Sequence, residues 1–341
     1  MADATRDTRT AQQRHAAPDT TRRRVVLGAA GAVAVPPLRA QEAWPAKPVR
    51  VVIPFPPGGG GDTLARLVMP RVGKEIGATF VMENVAGAGG NIGSRNVAQA
   101  PADGYTLLYG TNGTHGINQT LYEKPGFDAQ KDFAPISQLT RIAAMVVVRP
   151  GLAASSMPEL LKLLKANPGK LTFASAGNGT TSHLAGELLK ASAGVFMVHI
   201  PYRGGGPAMT DVIGGQVDLM IDVMPNAAPH VRSGRLRGLA VSTAKRVPTF
   251  ANVPTIAESG VPGFDVSAWD AIFAPAGTPP AIVRRLNEAI VKVLGDAELR
   301  ASLLERGAEV TPSTPDELGR FIAAEIPRWG AAVKRSNARV E

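Results

Sequence analysis

From residue 49 onward, short apolar runs alternate with longer amphipathic ones, and this alternation predicts the elements. Residues 49–54 (Val-Arg-Val-Val-Ile-Pro) read as a strand, and residues 62–76 as a helix with Leu64, Leu67, Val68 and Val72 on one face. The pattern repeats as strand 80–84, a loop holding Gly87, Gly89 and Gly90, helix 91–98 and strand 105–110. Strand, loop, helix and strand in this order predict a parallel sheet covered by helices on both faces.

A second series begins after the β-branched run 145–149, which stops at Pro150. Ser156 and Glu159 have the spacing of a capping box, opening a helix that reaches about Asn167. Strands at 171–174, 196–201, 217–222 and 236–242 then alternate with helices at 182–193, 207–213 and 225–233. Further on, Thr278 is placed to cap a helix with Pro279 in its first turn and Ile282, Leu286, Ile290 and Val293 on its buried face. Thr314, Pro315 and Glu317 open a last helix, to about Asn337. With no third sheet to cover, these two helices are expected to pack back onto the first series. The predicted fold is α/β and two-lobed, each lobe a mainly parallel sheet flanked by helices. Two hinge crossings, near 145–149 and 268–274, would join lobe 1 (44–145 plus 272–341) to lobe 2 (146–271), leaving a cleft between them.

Residues 1–43 do not read as part of the fold. A basic segment with Arg22, Arg23 and Arg24 leads into Gly, Ala and Val, too short to span a bilayer, with small residues near Ala40 and Ala43. That is a signal peptide, twin-arginine-like, with an ordinary Sec signal as the alternative; it places the mature protein in the periplasm. No later segment approaches the roughly 20 apolar residues of a membrane helix. The formal charge is +9, of which the leader's seven arginines against four acids account for +3. The remaining modest excess favours small anions. Basic residues are scattered rather than clustered with aromatics, which excludes nucleic acid as a partner. Cysteine is absent, so no disulfide, thiolate nucleophile or Cys-ligated metal is available.

Ligands of parallel α/β sheets bind where strands end and helices begin. This chain puts glycine and small polar residues there repeatedly: Pro56, Pro57, Gly58, Gly59 and Asp62; Ala88, Gly89 and Asn91; Thr111, Thr114 and His115. The second series adds Ser175, Gly177, Thr180 and Thr181, then Tyr202 and Gly204, then Asp222. Glycines let backbone N–H groups approach an anion, and helix dipoles add about half a positive charge. One such loop alone is most simply a tight turn; several on one rim suggest an anion trap. The first lacks the Gly-Lys-Ser/Thr ending of a phosphate loop, and no convincing G-x-G-x-x-G is present, so no nucleotide or other cofactor is expected. Ser175 lacks the first glycine of a nucleophile elbow, and the five histidines show no H-x-x-x-H spacing, so catalysis and metal binding lack support. His115 and His183 are candidate bases or ligand contacts, His199 a satisfied core residue and Asp218 a solvated strand start.

Several segments together resemble one family. They are Trp44-Pro45-Ala46-Lys47-Pro48-Val49-Arg50, Ile53-Pro54-Phe55-Pro56-Pro57-Gly58-Gly59, Gly87-Ala88-Gly89-Gly90-Asn91-Ile92-Gly93 and Asp103-Gly104-Tyr105-Thr106-Leu107. Ser175-Ala176-Gly177-Asn178-Gly179, His199-Ile200-Pro201-Tyr202, Gly214-Gly215-Gln216-Val217-Asp218 and Pro275-Ala276-Gly277-Thr278-Pro279 continue the series. In that order they resemble the substrate-binding receptors of tripartite tricarboxylate transporters, the Bug family, over essentially the whole mature chain. The resemblance implies a periplasmic-binding-protein fold and a non-enzymatic, monomeric receptor. It would close on a small organic carboxylate, held through backbone groups and ordered water, and deliver it to a membrane permease. Phe55, Pro57, Gly58 and residues 88–91 would hold the carboxylate end. Thr111, Thr114, Ser175, Thr180, Thr181, Tyr202 and Asp222 would meet the distal part. Gly60-Gly61 stand where many relatives have one glycine and a polar residue, and Thr180, Thr181 and Val223 fall where relatives vary, so the acid is not named. A ligand-sensing partner of a membrane sensor kinase and an enzyme on the same scaffold are the competing readings.

Overall fold

A computed structural model describes residues 44–340. The expected signal peptide, 1–43, lies outside the described residues. The chain opens with β1 (Val49–Ile53), α1 (Gly60–Ile76), β2 (Phe80–Asn84), α2 (Asn91–Ala98) and β3 (Thr106–Thr111), all close to the periodicity in the sequence. A π-helical turn (Gly113–Ile117) and α3 (Asn118–Leu121) follow. Next comes β4 (Phe133–Val148), a 16-residue strand of which the sequence pattern marks only the end. The second series is α4 (Met157–Ala166), β5 (Thr172–Ser175), α5 (Thr181–Ala193), β6 (Val198–Pro201), α6 (Gly205–Ile213), β7 (Leu219–Val223), α7 (Met224–Arg232) and β8 (Arg237–Val241). The chain finishes with β9 (Ser267–Pro275), α8 (Pro280–Leu294), α9 (Ala297–Glu305), β10 (Ala308–Val310) and α10 (Pro315–Ser336).

Two parallel sets flank a middle of antiparallel strands. β2, β1 and β3 are parallel; β9 is antiparallel to β3, and the first stretch of β4 is antiparallel to β9 and to β10. From Ala144 onward β4 leaves β9 and pairs antiparallel with β7 and β8, while β5 and β6 run parallel to β7. A second crossing runs beside it, where Ser242 donates from its backbone N–H to Ala144 and accepts at its carbonyl from Val266 (2.8 and 2.9 Å). Because helices cover both faces there, β4 is buried on both from Ala144 onward. Ala144, Val146 and Val148 enter one core and Met145 and Val147 the opposite one, and such doubly covered strands carry no polar alternation.

Four sequence expectations change. Glu159 bonds Ser155 rather than reciprocating with Ser156, because Ser155 offers both an N–H and a hydroxyl at 2.7 Å. Thr278 does not cap α8. Its hydroxyl turns to the Pro275 carbonyl, and Pro280 at the first helical position has no N–H to receive a cap. Asp218 is not solvated but tied to Arg149 Nε (2.9 Å) and to the N–H and hydroxyl of Thr172. α10 does not stay with the first series: its Trp329 and Val333 enter the same core as Phe173, Leu184 and Leu188.

α10 is anchored by a buried acid. Glu325, 4 % exposed, accepts from the indole N–H groups of Trp269 (2.7 Å) and Trp329 (2.8 Å) and pairs with Arg328 (2.6 Å). Both indoles are buried and would lose their acceptor together. Glu325→Ala should therefore cost about 3 kcal/mol of unfolding free energy, read as a lowered urea midpoint, and Glu325→Gln clearly less.

Candidate functional site

The register decides where the loops meet. Thr111, the last residue of β3, pairs with Asp270 of β9, which pairs with Thr140 of β4; Val223, the last residue of β7, pairs with Ala144. β3 runs parallel to β4 and β7 antiparallel to it, so their carboxyl ends point toward each other. They stop about four residues apart along β4, about 13 Å at strand rise.

The helices that follow these strands begin in that gap. α1, α5 and α6 start there with Gly59, Thr180 and Gly204 as N-caps, and none makes a side-chain cap. Away from this gap α4, α9 and α10 are capped by the side chains of Ser156, Asp296 and Thr314, whereas α2 and α8 have no side-chain cap. The loops of the two series touch. Thr181 Oγ1 donates to Asn112 Oδ1 (3.0 Å), and the Tyr122 hydroxyl donates to the Asn178 carbonyl (3.0 Å). Gly204, at φ +116°, lies against Pro56 where no Cβ would fit, and a Cβ on Gly60 would sit 2.5 Å from Val223 Cγ2. The loops thus meet beside a cavity of about 80 Å³ that stays partly open. At about 10–15 Å³ per water, that suits a ligand of about half a dozen heavy atoms.

Phe55, Tyr109, Ile142, Val223 and Trp269 supply the apolar wall, and Thr111, Asn112, Thr180, Thr181, Ser182, Asp222 and Asp270 the polar groups. Among the described residues no Lys, Arg or His lines it. Burial pushes the Asp222 carboxyl up to about 6, although Asn226 Nδ2 (2.6 Å) and the Val223 N–H donate to it. Burial likewise pushes Asp270 up to about 6, against donation from the Thr140 N–H (3.0 Å) and hydroxyl (2.6 Å) and from the Tyr109 hydroxyl. Burial and the neighbouring Asp270 raise the Tyr109 phenol well above its usual value.

Of the residues expected from sequence, Phe55, Gly59, Thr111, Thr180, Thr181 and Asp222 line the cavity. Pro57 and Gly58 are exposed beside it. Asp62 faces its own loop, accepting from the Gly58 N–H (3.0 Å), Arg66 Nε (2.8 Å) and Asn84 Nδ2 (2.9 Å). Ala88, Gly89 and Asn91 stand off to one side, where Asn118 Nδ2 donates to the Gly89 carbonyl and to Asn91 Oδ1. Thr114 is buried beneath the loop, its hydroxyl accepting from the Thr111 N–H (3.0 Å). His115 is wholly buried and stacks on Phe273 at 4.0 Å between ring centres, so it cannot reach the cavity. Ser175 is spent on His199 Nε2 (2.6 Å), and its Oγ also accepts from the Gly177 N–H. The Tyr202 hydroxyl is spent on Asp211 (2.7 Å), and Gly204 packs against Pro56. Sequence reasoning did not single out Tyr109, Asn112, Ser182, Trp269 or Asp270. The one usable signal was Asp270 itself, a lone acid inside the apolar run 267–275.

The model of the tripartite tricarboxylate transporter family receptor (TctC) matches residues 64–338. The chain belongs to this receptor family. Protein BugT of Bordetella pertussis (strain Tohama I) is 36% identical over 301 residues, covering 88% of this chain and 92% of BugT. The solved structure of R. palustris Rpa4515 with adipate matches with a TM-score of 0.85 at 38% identity, over 87% of this chain and 100% of that one. MatC (Rpa3494) from Rhodopseudomonas palustris with bound malate matches with a TM-score of 0.81 at 36% identity, over 85% and 99%.

In this Bug-family receptor the histidines near the crevice are structural. Burial holds His115 down to about 3; burial, with His199 and Lys190 nearby, holds His183 to about 3; burial and Lys190 hold His199 to about 4. Each stays neutral in the folded chain at pH values where the unfolded chain, with an ordinary imidazole near pH 6.5, takes up a proton. Stability is therefore lost as pH falls through 6.5 toward 4, by at most about 1.4 kcal/mol per pH unit for each histidine. Asp222 and Asp270 act the opposite way between about pH 4 and 6, since the folded chain protonates them first. His115→Gln should flatten the acid slope: its deficit against wild type in urea midpoint is largest at pH 7.5 and shrinks by pH 4.5.

Proposed function

We propose that this chain is a periplasmic receptor that closes on a small carboxylate and delivers it to the permease of a tripartite tricarboxylate-type transporter. One observation carries the reading: three helix N-termini without side-chain caps, from both series of elements, converge on one cavity. The first N–H groups of a helix have no partner within it, and the helix dipole adds positive potential there. An anionic group placed among them gains several N–H donors without any cationic side chain. A carboxylate fits the size of the space, and the relatives solved with adipate and with malate support that ligand class.

The proposal keeps the two lobes expected from sequence but sets their boundary at the crossings of β4 and Ser242–Val266, so that all of β9 falls in the first lobe and α10 reaches from the first lobe into the core of the second. Phe55, Gly59, Gly60, Gly61 and Thr111 belong to one jaw and Thr180, Thr181, Ser182 and Asp222 to the other. Residues 1–43 act as an export signal of the twin-arginine type, and the exported receptor works as a monomer.

A thermal-shift panel of aliphatic, hydroxy, amino and aromatic acids tests the ligand class, because a ligand at 100-fold over Kd stabilises by about 2.7 kcal/mol. If no acid moves the melt, and freshly purified protein releases none on denaturation, the carboxylate reading fails. Closure has its own test. Gly60→Ala keeps a good helix former in the first turn of α1 but sets its Cβ against Val223 on the opposite jaw. It should weaken binding of any acid found in the panel at least tenfold while leaving the ligand-free melting temperature within a few degrees of wild type.

A further inference from the structure

The charge balance of the cavity wall is unusual for a site that takes an anion. Asp222 and Asp270, 3 % and 1 % exposed, both line it, and no cationic side chain among the described residues does. The positive potential comes from backbone N–H groups at the starts of α1, α5, α6 and α7. Asp270 is matched within the protein by the N–H and hydroxyl of Thr140 and the hydroxyl of Tyr109. Asp222 has the Asn226 amide and the Val223 N–H, yet burial still holds it up to about 6. It faces the cavity with no cationic side chain beside it, only the start of α7. Asn112 supplies an independent sign of a ligand. It is 1 % exposed and lines the same cavity, its Oδ1 accepts from Thr181, and its Nδ2 donates to no protein group. A buried amide donor left unmatched is costly, so the wall holds one donor in want of an acceptor beside a carboxylate whose two side-chain and backbone donors are both neutral.

Resting on the carboxylate reading above, we propose that the ligand is a monocarboxylate whose other end carries a donor, an ammonium or hydroxyl group, that docks on Asp222. The ligand's carboxylate takes the helix starts and the Asn112 amide. Its donor end forms a hydrogen bond to the Asp222 carboxylate, strengthened by charge where the donor is ammonium. A second carboxylate in that position would meet a like charge across an apolar wall, where repulsion is poorly screened. Asp222 is then the residue that sets specificity between acids of equal length.

Isothermal titration with length-matched acids tests this: butyrate, succinate, 4-hydroxybutyrate and 4-aminobutyrate, with the corresponding six-carbon set. The hydroxy or amino acid should bind at least tenfold more tightly than the dicarboxylate of its length. Asp222→Asn, which keeps the side-chain shape and an oxygen for Asn226, should cut that ratio at least tenfold by weakening the donor acid and admitting the dicarboxylate. If the wild-type protein takes succinate or adipate at least as tightly as the donor acids, or if Asp222→Asn leaves the ratio unchanged, the specificity assignment is overturned while carboxylate binding stands. Should no acid of either length bind, this inference falls, while the carboxylate reading is decided by the full thermal-shift panel. The wild-type ranking decides the matter even if the variant folds poorly.

Discussion

Everything at the crevice depends on the register of one strand. β4 pairs with β9 up to Ala143 and with β7 from Ala144, and the direction of pairing on either side makes β3 and β7 end facing each other. Helix N-termini are ordinarily scattered over the rim of an α/β sheet; here the antiparallel middle turns two rims inward. A slip of one residue in β4 would exchange the faces of Ala144, Val146 and Val148 with those of Met145 and Val147. Those side chains fill two different cores, so packing fixes the register and the register fixes the gap.

The absence of side-chain caps on α1, α5 and α6 has a clear physical sense beside the caps on α4, α9 and α10. A serine or aspartate at those starts would satisfy the N–H groups internally and fill the space before them. Glycine at two of the three positions leaves the backbone bare and lets the opposing loops approach, as Gly204 does against Pro56. Backbone donors are fixed in place and cannot swing away as lysine or arginine would. Asp62 adds to this rigidity by tying the Gly58 N–H, Arg66 and Asn84 into one knot behind the first loop.

The parallel series were legible in the sequence because each strand is a compact apolar run and each helix has one apolar stripe; β2 and α2 match residue for residue. The first stretch of β4 was not, since Pro135, Ser137, Gln138, Thr140 and Arg141 break any simple alternation and the strand is bulged there. β10 is three residues long and α9 buries only Leu299 and Leu303, too little to carry a period. The glycine loops pointed to the right rim, yet glycine marks a place rather than a contact. Pro57 and Gly58 stay outside, and Thr114, His115 and Ser175 serve the loops from beneath. Asp270 was hidden for the opposite reason. It lies within a strand whose nine residues are all buried, and only pairing with β4 brings it to the floor of the crevice.

Helix ends of like polarity also set the mechanical character of the molecule. In the proposed closure, the positive ends of α1, α5 and α6 face one cavity, each equivalent to about half a charge. Like poles push apart, and an apolar wall screens them poorly. On the proposed function an anion between them would reverse the sign of the force, and one small molecule would act as an electrostatic latch whose removal lets the jaws spring apart. The shape that such a receptor shows to its surroundings then reports whether the latch is in place.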